Sequence, residues 1–111
     1  MISKENAEHY IWGGNCDGWR LVDREGCSII HEKMPPDSQE VRHFHQTAEQ
    51  FFFVLSGCLH IEIAGTEHEL HSHEGIEIPP NTPHQAMNRS DEAVEFLVIS
   101  RPNTRGDRVL A

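Results

Sequence analysis

The sequence predicts an all-β domain, a sandwich or barrel of short antiparallel strands. Three observations lead there. Short apolar runs alternate with turn signals along the chain. The run Cys58–Ala64 alternates cleanly, with Leu59, Ile61 and Ile63 set against His60 and Glu62, so one face is buried. No stretch keeps apolar residues at helical spacing for three turns. At 111 residues the chain is long enough for one compact domain and not two.

The elements follow in order. Ser3–Tyr10 reads as one short helix with Ser3 as its N-cap. Trp12 and Trp19 flank Gly13-Gly14-Asn15-Cys16-Asp17-Gly18, which is read either as a lid over the barrel mouth or, preferably, as an arm packed on a partner subunit. Cys27–Met34 is a strand ending at the turn Pro35-Pro36-Asp37-Ser38. Glu40–His45 is a strand that carries two histidines. Gln50–Leu55 ends at Ser56-Gly57. Cys58–Ala64 leads through the tight turn Gly65-Thr66 into Glu67–Leu70. Ile76-Glu77-Ile78 stops at Pro79-Pro80-Asn81-Thr82-Pro83. His84–Asn88 is short, and Ala93–Ser100 is the last strong strand. Eight to ten strands are expected, with 1–26 as an N-terminal arm with strands, 27–100 as the barrel and 101–111 as a C-terminal tail. Phe51-Phe52-Phe53 and Phe96–Ile99 are apolar on both faces. One face fills the barrel and the other needs a cover, so a homodimer is expected.

Composition narrows the function. Nine Lys+Arg stand against 18 Asp+Glu, a formal net charge of −9, which argues against nucleic acid and anionic membrane surfaces as partners. The first twenty residues are mixed and polar, unlike a signal peptide, and no apolar run approaches the roughly 18 residues of a membrane span. Cys16, Cys27 and Cys58 are odd in number and form no CxxC pair, so reduced thiols in a cytoplasmic protein are expected.

The chemistry concentrates in the histidines. His43 and His45 are two apart on a strand, on the same face and about 6.6 Å apart along it. Two imidazoles so placed can converge on one ion. A carboxylate or carboxamide follows at Glu49 or Gln50, and His84 lies downstream. Three prolines before His84 fix the backbone that delivers it. The cluster Glu67-His68-Glu69-Leu70-His71-Ser72-His73 reads as surface that takes up added metal weakly.

These residues, His43-Phe44-His45, then Gln50, then six residues to Gly57, resemble the first motif of the small single-domain cupins, G-x5-H-x-H-x(3,4)-E-x6-G. Pro79-Pro80-Asn81-Thr82-Pro83-His84, followed at the right distance by Asn88, resembles the second, G-x5-P-x-G-x2-H-x3-N. The resemblance runs from about His43 to Asn88. It implies a double-stranded β-helix, or jelly-roll barrel, and a divalent transition metal, Mn, Fe, Ni or Zn. The implied metal residues are His43, His45, Gln50 and His84. Three departures stand out. Gln50 takes the place of the motif's glutamate, while Glu49 lies one residue out of phase and so on the opposite face. Asn81 replaces a glycine at a position where left-handed backbone is tolerated by Asn. His73 sits where the second motif begins with glycine, and Gly75 is expected to take over that turn.

Three neutral imidazoles and a neutral amide leave a metal's +2 charge uncompensated. Such a centre is expected to be a strong Lewis acid and to favour small oxygen-rich anions. Phe52, Val54, Leu59, Ile61, Ile63, Ala86 and Asn88 are expected to face inward with it. No general acid or base stands out. Glu62, Glu77, His60 and Tyr10 are candidates, with surface or core packing the preferred reading of each. The resemblance admits isomerases, dioxygenases and decarboxylases as well as non-enzymatic binding or sensing proteins. A sugar-phosphate isomerase-like role ranks low, because no cluster of Lys and Arg is expected in the pocket.

Overall fold

The computed structural model describes residues 1–111 as twelve strands and no helix. The strands are β1 (Glu8–Trp12), β2 (Cys16–Asp23), β3 (Ser28–Met34), β4 (Ser38–Gln39), β5 (His43–His45), β6 (Glu49–Ser56), β7 (Leu59–Ile63), β8 (Thr66–Leu70), β9 (Gly75–Ile78), β10 (His84–Asn88), β11 (Val94–Arg101) and β12 (Arg108–Leu110). All pairings are antiparallel. One sheet runs β1-β2-β3-β11-β6-β9. The other runs β12-β5-β10-β7-β8, with β4 added on β10.

Register sorts the apolar runs between the two faces. Phe52 lies opposite Val98 and both are buried, whereas Phe51 opposite Ile99 points outward and is half-buried. Phe52 and Phe96 stack at 5.8 Å inside, alongside Met34, Val54, Leu59 and Ile61. This strict alternation is what a sheet with one buried face demands. The turn into β7 needs Gly57: its φ is +85°, and a Cβ there would lie 2.6 Å from the Ala93 carbonyl oxygen.

Several expectations are corrected. Ser3–Tyr10 is not a helix. Ser3 caps a single turn, its carbonyl accepting from Asn6 and Ala7, and the chain then enters β1. Pairing of β1 with β2 outweighs the weak local helix signal, because one isolated turn is a poor nucleus. The glycine-rich stretch is not a separate segment laid over the barrel. It is the hairpin turn between β1 and β2, followed by β2 itself, and both strands belong to the first sheet. Gly18 sits under the Tyr10 ring, where a Cβ would come within 2.4 Å of Cζ. Glu40–His45 is not one strand but breaks between β4 and β5. His73 adopts left-handed backbone itself, φ 67°, and Gly75 instead makes room for the Phe51 ring as β9 begins. Asn81 does take the left-handed conformation, φ 59°.

The C-terminal residues bear on the site. β12 pairs with β5, and the Asp107 carboxylate accepts hydrogen bonds from the backbone N–H groups of Gln46, Thr47 and Ala48. Burial pushes this carboxyl up, but the N–H donors of Ala48, Thr47 and Gln46 outweigh that and hold it below the usual range. The loop between His45 and β6 is thereby fixed.

Phe96 is fully buried against Phe52 in the centre of the core. Phe96→Ala is expected to lower the unfolding free energy by about 3–5 kcal/mol, read from urea denaturation monitored by tryptophan fluorescence.

Candidate metal centre

His43 and His45 leave β5 on the same side, and β10 brings His84 directly opposite His43. Ring centroids lie 4.9 Å apart for His43 and His45, 4.6 Å for His43 and His84, and 5.8 Å for His45 and His84. One ring nitrogen from each falls within 4.8 Å of the others, a spacing that can hold a metal ion. All three side chains are buried.

Hydrogen bonds set the tautomers of two rings. His43 Nδ1 lies 2.8 Å from the Val41 carbonyl oxygen, and His84 Nδ1 lies 2.9 Å from that of Thr82. A carbonyl only accepts, so each Nδ1 carries the proton and each Nε2 presents its lone pair. Backbone anchoring of this kind is how metal-binding imidazoles are oriented. Burial, with repulsion from His84, holds His43 and His45 down to about 4, and burial lowers His84 as well. All three are neutral at physiological pH, the form in which imidazole donates to a metal.

Gln50 is buried on β6, in the facing sheet, and lines the same cavity as His43 and His45. Its Nε2 donates to Ser100 Oγ at 3.1 Å, which leaves Oε1 free. Buried Gln50 Oε1, His45 Nδ1 and His84 Nε2 have no hydrogen-bond partner in the protein. Each such atom costs about 1–3 kcal/mol if unsatisfied, and a cation held between the imidazoles would relieve that cost at the ring nitrogens. The donor set of imidazole nitrogens and an amide oxygen therefore fits a divalent transition metal. Glu49 points the other way, exposed and paired with Arg101.

The cavity beside the cluster measures about 290 Å³, the size of a small metabolite. Tyr10, Trp12 and Arg20 from the first hairpin and Arg105 and Arg108 from the C-terminal stretch line it. The expectation of a pocket without basic residues is thus corrected. Arg105 and Arg108 lie 85 and 88 positions after Arg20 in sequence and meet it only in the folded chain. Arg20 pairs with Glu8 and stacks on the Tyr10 ring, Arg105 pairs with Asp23, and Arg108 meets the Val41 carbonyl oxygen with no carboxylate partner. A larger depression, about 430 Å³, opens on the outer side of β6 and β9 and contains none of these histidines.

The acid–base candidates separate. Glu62 is tied to Arg42, Glu77 is exposed and His60 faces Glu67, so none of these three meets the cavity. Tyr10 does line it. Two carboxyls escaped the reading of the sequence. Glu32 on β3 and Glu40 before β5 both line the cavity. Burial and the neighbouring Glu40 push Glu32 up to about 8, and burial pushes Glu40 up to about 7. Glu40 accepts from the Ala86 N–H at 2.8 Å and lies 3.9 Å from His43 Nδ1. The signal for Glu32 was its parity. It alternates with Ile30 and Met34 on the face of β3 that points inward.

The fold agrees with the comparisons. The chain belongs to the cupin domain family, whose profile matches residues 30–100. An uncharacterised protein of Methanocaldococcus jannaschii is 28% identical over 75 residues, covering 68% of this chain and 60% of that protein. The polyketide synthase CurC of Streptomyces cyaneus is 30% identical over 69 residues, covering 62% of this chain and 45% of that protein. The chain therefore spans about half the length of the curated relatives it matches. A predicted oxalate decarboxylase from Thermotoga maritima superposes with a TM-score of 0.85 at 14% identity, covering 93% of this chain and 99% of that one. A likeness at that identity shows the fold alone.

Glu32 yields a stability prediction. Its folded pKa of about 8 stands above the ordinary 4.5, so unfolding releases a proton between those values. Wild-type protein should lose stability relative to Glu32→Gln as pH rises from about 4.5 to about 8, and the difference should then level off. Melting temperatures of the two metal-free proteins across pH 4–9 check this; the histidines are common to both and cancel.

Proposed function

We propose that this cupin holds a divalent transition metal through His43, His45, His84 and Gln50 and acts on a small anionic metabolite bound beside it. The observation that carries the reading is the convergence of three neutral imidazoles, two of them anchored to backbone carbonyls, in a cavity that also holds a buried amide oxygen with no partner. The ligand class rests on charge. A neutral donor set leaves the ion's charge uncompensated, and Arg20, Arg105 and Arg108 line the approach. One structural neighbour is named for oxalate, a small dicarboxylate, and the arginines suit an anion of that kind. The metal, when bound, supplies Lewis acidity. The chain's own side chains orient the ligand, and the apolar wall of Ile30, Phe52 and Val98 excludes water from it.

The same arginines favour a second reading, a sugar-phosphate ligand in place of a carboxylate. We further propose that the half-buried outer face carrying Phe51, Phe53, Leu97 and Ile99 pairs two copies of the chain.

Protein purified without a histidine tag is expected to carry about one equivalent of metal by elemental analysis, and His43→Ala or His84→Ala should reduce that at least about tenfold. Metal content that neither substitution changes would remove the site. Metal-loaded protein is also expected to bind gluconate more tightly than glucose in calorimetry. Equal affinities would argue against the anion preference, and a sugar phosphate that binds no better than its sugar would eliminate the second reading.

A further inference from the structure

Glu32 is the carboxyl group of this cavity that nothing else in the molecule uses. It sits mid-strand on β3, in the sheet facing the one that carries the histidines, between inward-pointing Ile30 and Met34. Its strand neighbours are Gly18 on β2 and the fully buried Phe96 on β11. It lines the cavity yet makes no side-chain hydrogen bond and no ion pair, unlike Glu40, Glu62 and Glu95. The carboxyl is half-buried and opens onto the cavity, where a ligand can reach it.

The groups around it define what it can do. From β1 and β2 it faces Tyr10, Arg20 and Cys16. From the second sheet and its approaches it faces Glu40, His43, His45 and Arg108. β11 offers only Val94, Phe96, Val98 and Ser100 on that side, none of them titratable. Tyr10, pushed up to about 12 by burial and by Glu32, keeps its proton at neutral pH. Cys16 is buried in the core with its thiol pushed up by burial. Arg108, with no carboxylate of its own, is the free cation for a ligand carboxylate. The cavity thus has the histidine cluster and Arg108 to hold ligand oxygens, and two carboxyls, of which Glu40 is engaged by the Ala86 N–H and Glu32, on the facing sheet, is free.

We propose that Glu32 is the proton-transfer residue of this cavity and that the ligand is a small 2-oxo or 3-oxo carboxylate, with an acidic C–H beside its carbonyl. The proposal rests on the metal-centre reading given above for how the ligand's oxygens are held. The Glu32 carboxylate takes a proton from the carbon next to the carbonyl. The C–H electron pair becomes the C=C bond of an enolate, and the carbonyl π pair moves onto oxygen. The carboxylic acid then returns a proton to that carbon, and no oxidant or reductant is needed. Burial places the carboxyl near neutrality, where a group serves well as both acid and base.

Two measurements on metal-replete protein test this. The first is exchange of the pyruvate methyl protons for deuterium in D2O, followed by proton NMR. It should proceed in wild type and slow about 100-fold or more in Glu32→Gln. The second needs no turnover. Oxalate, which has no C–H, is titrated calorimetrically at pH 8 in two buffers of different ionisation enthalpy. Wild type should take up protons on binding, because the anion raises the Glu32 pKa further. Glu32→Gln should bind oxalate without that uptake, and Glu32→Asp should retain it. Proton uptake and exchange unchanged in Glu32→Gln would overturn the role of Glu32 and leave the metal centre standing. Wild type that fails to bind oxalate would overturn both. A Glu32→Gln protein that does not fold leaves Glu32→Asp to decide, since loss of proton uptake there also counts against the proposal.

Discussion

Three imidazoles packed edge to edge inside a protein can exist together only if none is charged. That constraint organises the second sheet. The pairing of β5 with β10 places His43 against His84, and the Val41 and Thr82 carbonyl oxygens each claim one ring proton. One nitrogen of each ring then lies within 4.8 Å of the others, and His45 Nδ1 and His84 Nε2 are left without a partner in the protein. Repulsion between like lone pairs in a medium of low polarity is what a cation relieves. The β-structure around the cluster supplies the rigidity that keeps the rings from turning away.

Charge is distributed differently from what a glutamate at the fourth position would give. With Gln50 there, the carboxylates stand back from the donor cluster, at Glu32 and Glu40 on the cavity wall, while guanidinium groups gather at its approach. Cations guard the entry, a neutral donor set lies at the end, and two half-neutral acids occupy the wall. This ordering suits a small anion better than a neutral molecule of the same shape.

Much of the fold was legible because period-two alternation is a local signal. Leu59, Ile61 and Ile63, or Phe52 and Val54, announce their faces without help from distant residues. His43, His45 and His84 were legible for the same reason, two by spacing and one by its rigid proline turn. Ser3–Tyr10 misled because a cap and a few compatible residues look like a helix until β2 offers a better partner. The arginines could not be read, since Arg20, Arg105 and Arg108 come together only through the β1–β2 hairpin and the β5–β12 pairing. Glu32 was hidden in a strand whose polar residues, His31, Glu32 and Lys33, look alike in one dimension and differ only in which side of the sheet they take.

Asp107 has a consequence for how the centre comes into being. Its carboxylate anchors the backbone of residues 46–48, the short bridge between His45 on one sheet and Gln50 on the other. The strands that carry these two side chains are therefore tied together by a residue some sixty positions later in the chain. During synthesis the histidine pair, Gln50 and His84 all leave the ribosome before the group that locks them in place. Until Asp107 arrives, the bridge has no clamp, and the spacing between the two sheets at this point is completed from the far end of the sequence.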